Sequence, residues 1–291
     1  MIKRLNKDDN CWCGSQKKYI DCHFEFDNKL IKFKSLGCII PGREIIKTDK
    51  QIEGIRESSK INIAALDKVA ENIKEGMTTL EIDRIVSETT KAFGGTCAPL
   101  GFEGFPRSVC VSINNVVCHG IPSRRVILKD GDIVNVDAST CYKGYYSDSS
   151  RMFCIGNVTS EKRRLVDVTK ECVEIGIKEV KPWHRMGNMS NAINRHAIKN
   201  GYSIVKEIGG HGIGLEFHEI PFVSYTAKFG TGMLMVPGMM FTIEPMVNMG
   251  SNKVYVDSID KWTVYTNDGK PSAQWEVTVL VTEDGCEVIT Y

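Results

Sequence analysis

The chain has 291 residues, of which 25% are charged and 42% hydrophobic, and its formal net charge is +1. This is the balance of an ordinary globular protein, and it provides no global charge to recruit nucleic acid or an anionic membrane. No apolar run is long enough to span a bilayer, and residues 1–9 lack the apolar core of a secretory signal. Eight of the eleven cysteines are scattered singly, which favours reduced thiols over a disulfide framework. We therefore expect a cytoplasmic protein.

Four residues with metal-binding side chains cluster near the N-terminus: Cys11, Cys13, Cys22 and His23. Four sulfur or nitrogen ligands with no open position predict a structural, tetrahedral zinc site. Metal binding would supply the folding energy of so short a segment. The alternative, a chance cluster of buried cysteines, is disfavoured by the polar, lysine-rich context. The run resembles the SEC-C zinc motif, CxCGSxxKYxxC followed by Cys or His, over about the first 25 residues.

The chain then divides into a linker and a large domain. Residues 24–41 mix lysines with single apolar residues before Pro41 and Gly42, which is typical of a linker. Thr48 predicts the N-cap of a helix to about Ile73, and Thr78 or Thr79 followed by Glu81 predicts a second helix to about Phe93. Apolar periodicity predicts two more helices, at about 160–180 and 185–200. We expect a zinc-binding unit at 1–28, a linker at 29–42 and a catalytic domain at 43–291.

Two β-like runs around residues 142–144 predict a hairpin that carries Asp137 and Asp148. If the loop is Tyr142-Lys143, the two aspartates face each other directly. Opposed like charges destabilise a sheet, and buried carboxylates are costly unless they are paired or coordinate a metal. Either a cation lies between them or both are solvated.

Three further candidates decide between these alternatives. His211 lies in a glycine-rich loop after a predicted strand, and Glu244 and Glu276 lie in apolar strands. A nucleotide-binding loop is a weak interpretation of the glycines, because no helix follows at once. Four carboxylates and one imidazole can hold two divalent cations about 3.5–4 Å apart if some carboxylates bridge. The sequence therefore predicts a two-metal site.

The order of these five residues, with CHGIP around His119 and FHEIP around His218, closely resembles type I methionine aminopeptidases from about Arg43 to Tyr291. The resemblance implies an α+β, pseudo-two-fold "pita-bread" fold: a curved antiparallel sheet backed by helices, with the metals on its concave face. It also implies a dinuclear-metal aminopeptidase that removes N-terminal methionine from nascent proteins and peptides. Such an enzyme prefers a small second residue and uses a metal-bound water as nucleophile.

The resemblance also assigns roles to the five metal-ligand candidates. Asp137 would chelate one metal, His211 and Glu244 the other, and Asp148 and Glu276 would bridge. Glu244 would also move the proton of the attacking water to the leaving amine. An oxygen-rich site favours two iron, manganese or cobalt ions, whereas zinc suits the N-terminal motif.

Substrate contacts follow in the same way. His119 would contact the amide nitrogen of the scissile bond, and His218 the carbonyl oxygen as charge develops there. The methionine pocket would consist of soft and apolar side chains: Phe102, Phe105, Cys110, Phe217 and Trp262. Phe102 and Phe105 stand where better-known members have Tyr, and Pro99 stands where many have Cys, so details of the pocket differ.

Expected partners are nascent polypeptide N-termini, with no membrane and no sequence-specific nucleic acid, and we expect a monomer. By analogy the zinc motif docks the enzyme on the ribosome or another partner near the emerging chain; the alternative is a folding staple. Three other interpretations compete: a proline-specific enzyme of the same fold, a catalytically dead member used for binding, and a zinc-knuckle nucleic-acid binder.

Overall fold

A computed structural model describes residues 5–291 and, within them, five α-helices and fifteen β-strands. Residues 1–4, where the predicted zinc-binding unit begins, lie outside the described part. The helices are α1 (Phe24–Ser35), α2 (Asp49–Asn72), α3 (Thr79–Ala92), α4 (Ser160–Glu179) and α5 (Met186–Lys199). The strands are β1 (Thr96–Cys97), β2 (Cys110–Ile113), β3 (Val116–Cys118), β4 (Ile133–Tyr142), β5 (Tyr145–Cys154), β6 (Ser203–Ile204), β7 (Gly210–Gly212), β8 (Glu219–Val223), β9 (Met240–Ile243), β10 (Met246–Asn248), β11 (Val254–Val256), β12 (Val264–Thr266), β13 (Ser272–Gln274), β14 (Val277–Val281) and β15 (Cys286–Val288).

Local capping determines where α2 and α3 begin. The Thr48 side chain accepts a hydrogen bond from the backbone of Gln51, and the Gln51 side chain accepts one from the backbone of Thr48. Thr78 and Glu81 form the same reciprocal pair at α3. Each pair satisfies two backbone donors that the first turn leaves free. The predicted starts of α2 and α3 are therefore confirmed.

Every pairing between named strands is antiparallel, and the pairings form four sheets. In one sheet β4 lies between β1 and β2 and also pairs with β5; another has the order β15-β14-β9-β7-β8. An isolated bridge between Ser150 and Glu276 connects these two sheets. Helices α2 and α3 cover β2 and β4 around Leu66 and Val136. Helix α4 packs on β9, β10 and β13 around Leu165 and Phe241, and α5 packs on α4 and β6. The α+β class is confirmed.

The turn of the β4–β5 hairpin differs from the predicted one. Lys143 and Gly144 form it, with φ of 51° and 80°, and Tyr142 pairs with Tyr145. Two-residue hairpins of the favoured type need positive φ at both central residues, and glycine adopts this conformation at little cost. The two-residue loop is therefore Lys143-Gly144, one residue later than the predicted Tyr142-Lys143 loop.

This turn changes the predicted pairing of the aspartates. Asp137 lies opposite Ser150, and Asp148 lies opposite Ser139, so the predicted direct pairing of Asp137 with Asp148 is wrong. The displacement is two residues along one strand. Because side chains alternate with a period of two, both carboxylates remain on the same face of the hairpin, diagonally related.

Helix α1 occupies much of the segment expected to be a linker. Phe26, Leu30 and Phe33 recur at a spacing of four and three residues, which forms one apolar helical face. Leu30 is fully buried in the main core, and the two phenylalanines pack against it. Residues 29–35 are thus helical and packed because this face has a partner. The domain boundaries themselves stay a prediction.

Candidate active site and zinc knuckle

A cavity of about 270 Å³ opens between the two large sheets. All twelve residues that the sequence suggested for the two-metal site, for catalysis or for the methionine pocket line it: Phe102, Phe105, Cys110, His119, Asp137, Asp148, His211, Phe217, His218, Glu244, Trp262 and Glu276. Residues up to 174 positions apart in the chain (276 minus 102) thus meet at one place.

The five metal-ligand candidates come from five different strand ends or strands. Asp137 lies on β4, Asp148 on β5 and His211 on β7, Glu244 directly follows β9, and Glu276 lies between β13 and β14. One ligand atom each from Asp148, His211 and Glu276 lies within 4.8 Å of the others. The Nε2 atom of His211 is 3.6 Å from Oε1 of Glu244 and 3.9 Å from Oδ2 of Asp148.

The orientation of His211 leaves one nitrogen for a metal. Its Nδ1 lies 3.0 Å from the carbonyl oxygen of Gly212, which can only accept a hydrogen bond. Nδ1 therefore carries the proton, and the lone pair of Nε2 points towards the carboxylates. Burial lowers the pKa of His211 to about 3, so the ring is neutral and suited to coordination.

Burial disfavours the charged form of all four carboxyl groups of the site and so raises their pKa values. Burial raises the pKa of Asp137 to about 7 and that of Glu244 to about 8. The pKa values of Asp148 and Glu276 are raised well above their ordinary range, first by burial and then by neighbouring carboxylates. Among the described residues, Oε1 of Glu276 has no hydrogen-bond partner. Four buried carboxylates, one of them with an unpaired oxygen, and a neutral imidazole fit a divalent-cation site.

Two more histidines face the same cavity. His119 follows β3 with φ of 56°, and its ring lies 6.0 Å from that of Trp262. The ring of His218 is 4.2 Å from that of His211 and stacks at 4.2 Å on Phe217. Burial lowers the pKa of His119 to about 4 and also lowers that of His218. Both rings are neutral near pH 7 and can donate or accept a hydrogen bond.

Apolar side chains form the remaining wall. Phe102 meets Phe217 edge-on with ring centroids 5.0 Å apart, and Phe105 meets Trp262 in the same way at 5.2 Å. Cys110 completes this wall, and burial raises the pKa of its thiol well above the ordinary value. The cavity thus joins a charged end to an apolar, aromatic end.

The four N-terminal candidates also converge. His23 Nδ1 lies 3.2 Å from Sγ of Cys11 and 3.1 Å from Sγ of Cys22, and the Sγ atoms of Cys13 and Cys22 are 3.6 Å apart. All four ligand atoms lie within 4.8 Å of one another. A zinc tetrahedron with bonds of about 2.3 Å has sulfur–sulfur edges of about 3.8 Å. The spacing therefore fits a zinc ion bound by three thiolates and one imidazole.

Comparison with known proteins identifies two matching parts of the chain. Residues 53–283 match metallopeptidase family M24, and residues 9–25 match the SEC-C motif. The chain belongs to metallopeptidase family M24. The resemblances to type I methionine aminopeptidases and to the SEC-C motif, and the assignment as a metal-dependent hydrolase, are confirmed.

Several proteins similar in sequence to this chain are named methionine aminopeptidase. "Methionine aminopeptidase A" of Synechocystis sp. is 46% identical over 83% of this chain and 95% of its own length. "Methionine aminopeptidase" of Chlamydia trachomatis serovar D is 40% identical over 98% of this chain and 99% of its own length. The crystal structure of methionine aminopeptidase from Rickettsia prowazekii superposes with a TM-score of 0.83 at 39% identity, covering 84% of this chain and 99% of that one. The pita-bread fold is confirmed.

The zinc knuckle, defined here as residues 11–23, leads into a helix that packs on the M24 domain. On α1, Phe26 meets Trp183 edge-on at 5.4 Å and Phe33 stacks on it at 5.8 Å. The ammonium group of Lys29 lies 3.9 Å from the centroid of the same indole ring. Trp183, which lies just before α5, itself packs against the main core. The N-terminal region is therefore in contact with the main core of the M24 fold.

Sequence reasoning missed three residues that orient the ligands of this M24 site. Thr242 donates a hydrogen bond to Oε1 of Glu244 at 2.7 Å, and Gln274 donates one to Oε2 at 3.0 Å. Ser139 donates one to Asp148 at 2.8 Å. The period of two along a strand was an available signal for Thr242, which precedes Glu244 by two residues. Ser139 depended on the corrected hairpin register.

The M24 chain shows no helix within residues 5–291 that is both long and apolar enough to cross a bilayer.

Proposed function

We propose that this M24 metallopeptidase is a dinuclear methionine aminopeptidase that hydrolyses N-terminal methionine from nascent proteins and peptides. The observation that carries the proposal is the cavity: five metal-ligand candidates form one end and an apolar, aromatic wall forms the other. A free amino terminus and a thioether side chain would each find a suitable environment there. Two relatives that match 83% and 98% of this chain are named methionine aminopeptidases, which supports the same substrate class.

The five candidates divide between two cations in this proposal. Asp137 would bind one cation, His211 and Glu244 would bind the other, and Asp148 and Glu276 would bridge. Bound divalent cations would supply an activated water and polarise the scissile carbonyl group. Oxygen-rich donors with a single imidazole favour iron, manganese or cobalt, and the supply in the cell decides among them.

Three side chains carry the proton and hydrogen-bond chemistry. Glu244, buried and held by two side-chain donors, takes a proton during attack and passes it to the leaving amine. His119 contacts the scissile amide nitrogen. His218 donates to the carbonyl oxygen as negative charge develops there, which a neutral ring in a buried site can do.

The apolar wall recognises the methionine side chain. Phe102, Phe105, Phe217 and Trp262 present ring edges and faces, and Cys110 adds a soft sulfur, all suited to a thioether. We further propose a preference for a small second residue. A dead, binding-only member is a weaker candidate, because all five ligand positions are present and converge.

The enzyme would act in the cytoplasm as a monomer on emerging chains, without a membrane partner and without sequence-specific nucleic-acid binding. The knuckle with its bound zinc would dock near the ribosome exit, where exposed Lys17 offers a positive charge to ribosomal phosphate. Co-sedimentation with ribosomes tests this: wild type should pellet, and Lys17→Glu should pellet less at the same salt. If neither wild type nor Lys17→Glu pelleted with ribosomes, the docking role would be contradicted and the knuckle would be a folding element only.

The deciding experiment measures free methionine released from a Met-Gly-Met peptide by chelator-treated enzyme. Mn(II), Fe(II), Co(II) or Zn(II) is added back separately under anaerobic conditions. We expect release to return with at least one of the first three cations and to fall for a peptide with a large second residue. No release with any cation, from protein shown to be folded, would contradict the proposal.

A further inference from the structure

The loop between β7 and β8, residues 213–218, carries Phe217 and His218 into the cavity. Tyr146 donates a backbone hydrogen bond to Gly214 at the start of this loop at 2.9 Å. One carboxylate holds the part nearer His218: Oε1 of Glu219 accepts the N–H of Leu215 at 2.6 Å and that of Glu216 at 3.0 Å. Two charge-assisted hydrogen bonds of this kind constrain a short loop strongly. The position of His218 thus depends on the position of the Glu219 carboxylate beside it.

A buried lysine holds that carboxylate from outside the loop. The ammonium group of Lys47 forms an ion pair with Oε2 of Glu219, and the side chains are 0% and 10% exposed. The backbone N–H of Lys47 donates to the carbonyl of Gly238 at 2.8 Å, which fixes the start of the side chain. Gly214 leaves it room, since an added Cβ there would lie 3.0 Å from Cε of Lys47 and 2.4 Å from Cδ1 of Ile55. A buried lysine with so little free space has few alternative positions.

The segment that ends at Lys47 begins at a residue bound by the N-terminal region. Arg43 forms an ion pair with the fully buried carboxylate of Asp27 on α1. Its guanidinium also lies 5.3 Å from the ring of Trp12 and 5.9 Å from that of Tyr19. Tyr19 donates a hydrogen bond to the same Asp27 oxygen at 2.6 Å. The N-terminal region therefore holds Arg43 by an ion pair with Asp27 and by two aromatic rings, and Tyr19 hydrogen-bonds to the same Asp27 oxygen.

We propose that Lys47 and Glu219 are positioning residues for the loop of Phe217 and His218, and that the zinc knuckle with α1 anchors Lys47 through Arg43. The inference rests on the proposed function, because His218 has a role only if the site hydrolyses a peptide bond. It assigns the N-terminal region an effect on turnover in addition to any docking role. The path runs through two ion pairs, Asp27 with Arg43 and Lys47 with Glu219, which the short segment 43–47 connects.

The first test changes the geometry of the pair without leaving a buried charge unpaired. Glu219→Asp keeps both charges but shortens the reach by one methylene, and the double variant Lys47→Met with Glu219→Gln removes both charges. Misplacement by about 1 Å can cost about a hundredfold in rate, so we expect kcat for Met-Gly-Met to fall about tenfold or more. The fall in kcat should exceed the rise in KM, because His218 would act on the developing charge.

The matched control is the exposed ion pair of Lys60 and Glu57 on α2. Lys60→Met with Glu57→Gln should keep the kcat and KM of wild type. If Glu219→Asp does not fold, the double variant decides, because it buries no unpaired charge. A folded variant with the kcat of wild type would overturn the assignment of Lys47 and Glu219. A lower melting temperature with unchanged kcat in these variants would show that the pair contributes only to stability.

The second test separates the anchor from the pair. Arg43→Met should lower kcat in the same direction while the protein keeps one zinc per chain by elemental analysis. A kcat equal to that of wild type would overturn the part assigned to the N-terminal region. Failure of the proposed function is a different result, since wild type itself would then release no methionine with any cation.

Discussion

The carboxyl groups of the cavity are buried beside one another, and none of the described residues that line it is Lys or Arg. A charged carboxylate in such a place is stable only with a cation or with a proton. Without a cation, burial and mutual repulsion favour the proton, as the raised pKa values of Asp148 and Glu276 show. The same residues therefore make the site costly when empty and strongly attractive to divalent cations.

The first prediction at this scale concerns the two bridging candidates. Asp148→Asn and Glu276→Gln each remove one negative charge and one ligand oxygen without changing side-chain size. We expect both variants to lose cation binding and methionine release. Elemental analysis after Mn(II) reconstitution, together with the Met-Gly-Met assay, measures both quantities. Asp167→Asn, at an exposed position of α4, is the control and should behave as wild type; full activity in either site variant would contradict the bridging roles.

The second prediction concerns Thr242, whose hydroxyl contacts two of the metal-ligand candidates. It donates to Glu244 at 2.7 Å and accepts the backbone N–H of His211 at 3.0 Å. Thr242→Val keeps the shape but removes both contacts, so Mn(II) affinity should fall about 10- to 100-fold, the usual effect of losing an orienting partner. Isothermal titration calorimetry measures the affinity.

The control for Thr242 is the residue that faces it across the sheet. Thr278 on β14 pairs with Thr242, and its hydroxyl donates to the backbone carbonyl of Asp148 rather than to a ligand atom. Thr278→Val should cost stability but leave Mn(II) affinity close to that of wild type. Equal loss of affinity in both variants would mean that general packing, and not orientation of the ligands, explains the effect.

At the scale of elements, α1 is the part of the chain in which sequence pattern and structure differ most. Its composition is that of a charged connector, and its apolar face covers only one residue per turn. Such a face stabilises a helix only when it finds a partner, because short helices are marginal in water. Here the partner is Trp183 and the main core, neither of which is visible in the local pattern.

Two leucines of this region test the packing of α1. Leu30 is fully buried, whereas Leu36, just after the helix, is 66% exposed. Leu30→Ala should lower the free energy of unfolding by about 2–5 kcal/mol through lost burial and the cavity left behind. Leu36→Ala should change it by less than about 0.5 kcal/mol. Denaturant titration followed by circular dichroism compares the two; equal effects would mean that α1 does not pack as described.

Across the whole molecule, the sequence predicted the elements that have strong local signals. The capping pairs at Thr48 and Thr78 predicted two helix starts, and four costly carboxylates on predicted strands, with His211 in a glycine-rich loop, predicted a cation site. Long-range geometry was less accessible. The hairpin register depended on which residues could take positive φ, and the apolar strand predicted to contain Glu276 is instead two strands, β13 and β14, separated by Trp275 and Glu276. That interruption places Glu276 beside Ser150 of the other sheet, a contact that no local pattern encodes.

The molecule as a whole holds two candidate metal sites of different chemistry, and this difference can be measured. Structural zinc sites in comparable short motifs have an apparent binding free energy of about 10–16 kcal/mol, whereas carboxylate sites bind manganese or iron more weakly. Dialysis against a moderate chelator should therefore remove the cations of the cavity and abolish methionine release, while one zinc per chain remains. Added Mn(II) should restore release.

The Cys13→Ser variant completes this experiment, because it removes one thiolate of the knuckle and no residue of the cavity. It should lose the zinc, keep its capacity to bind Mn(II), and unfold at a lower temperature than wild type, since zinc binding is coupled to folding of the knuckle. Elemental analysis and thermal unfolding measure these outcomes on the same samples. If zinc and manganese left wild type at the same chelator concentration, or if Cys13→Ser kept its zinc, the assignment of a thiolate site at Cys11, Cys13, Cys22 and His23 would be wrong.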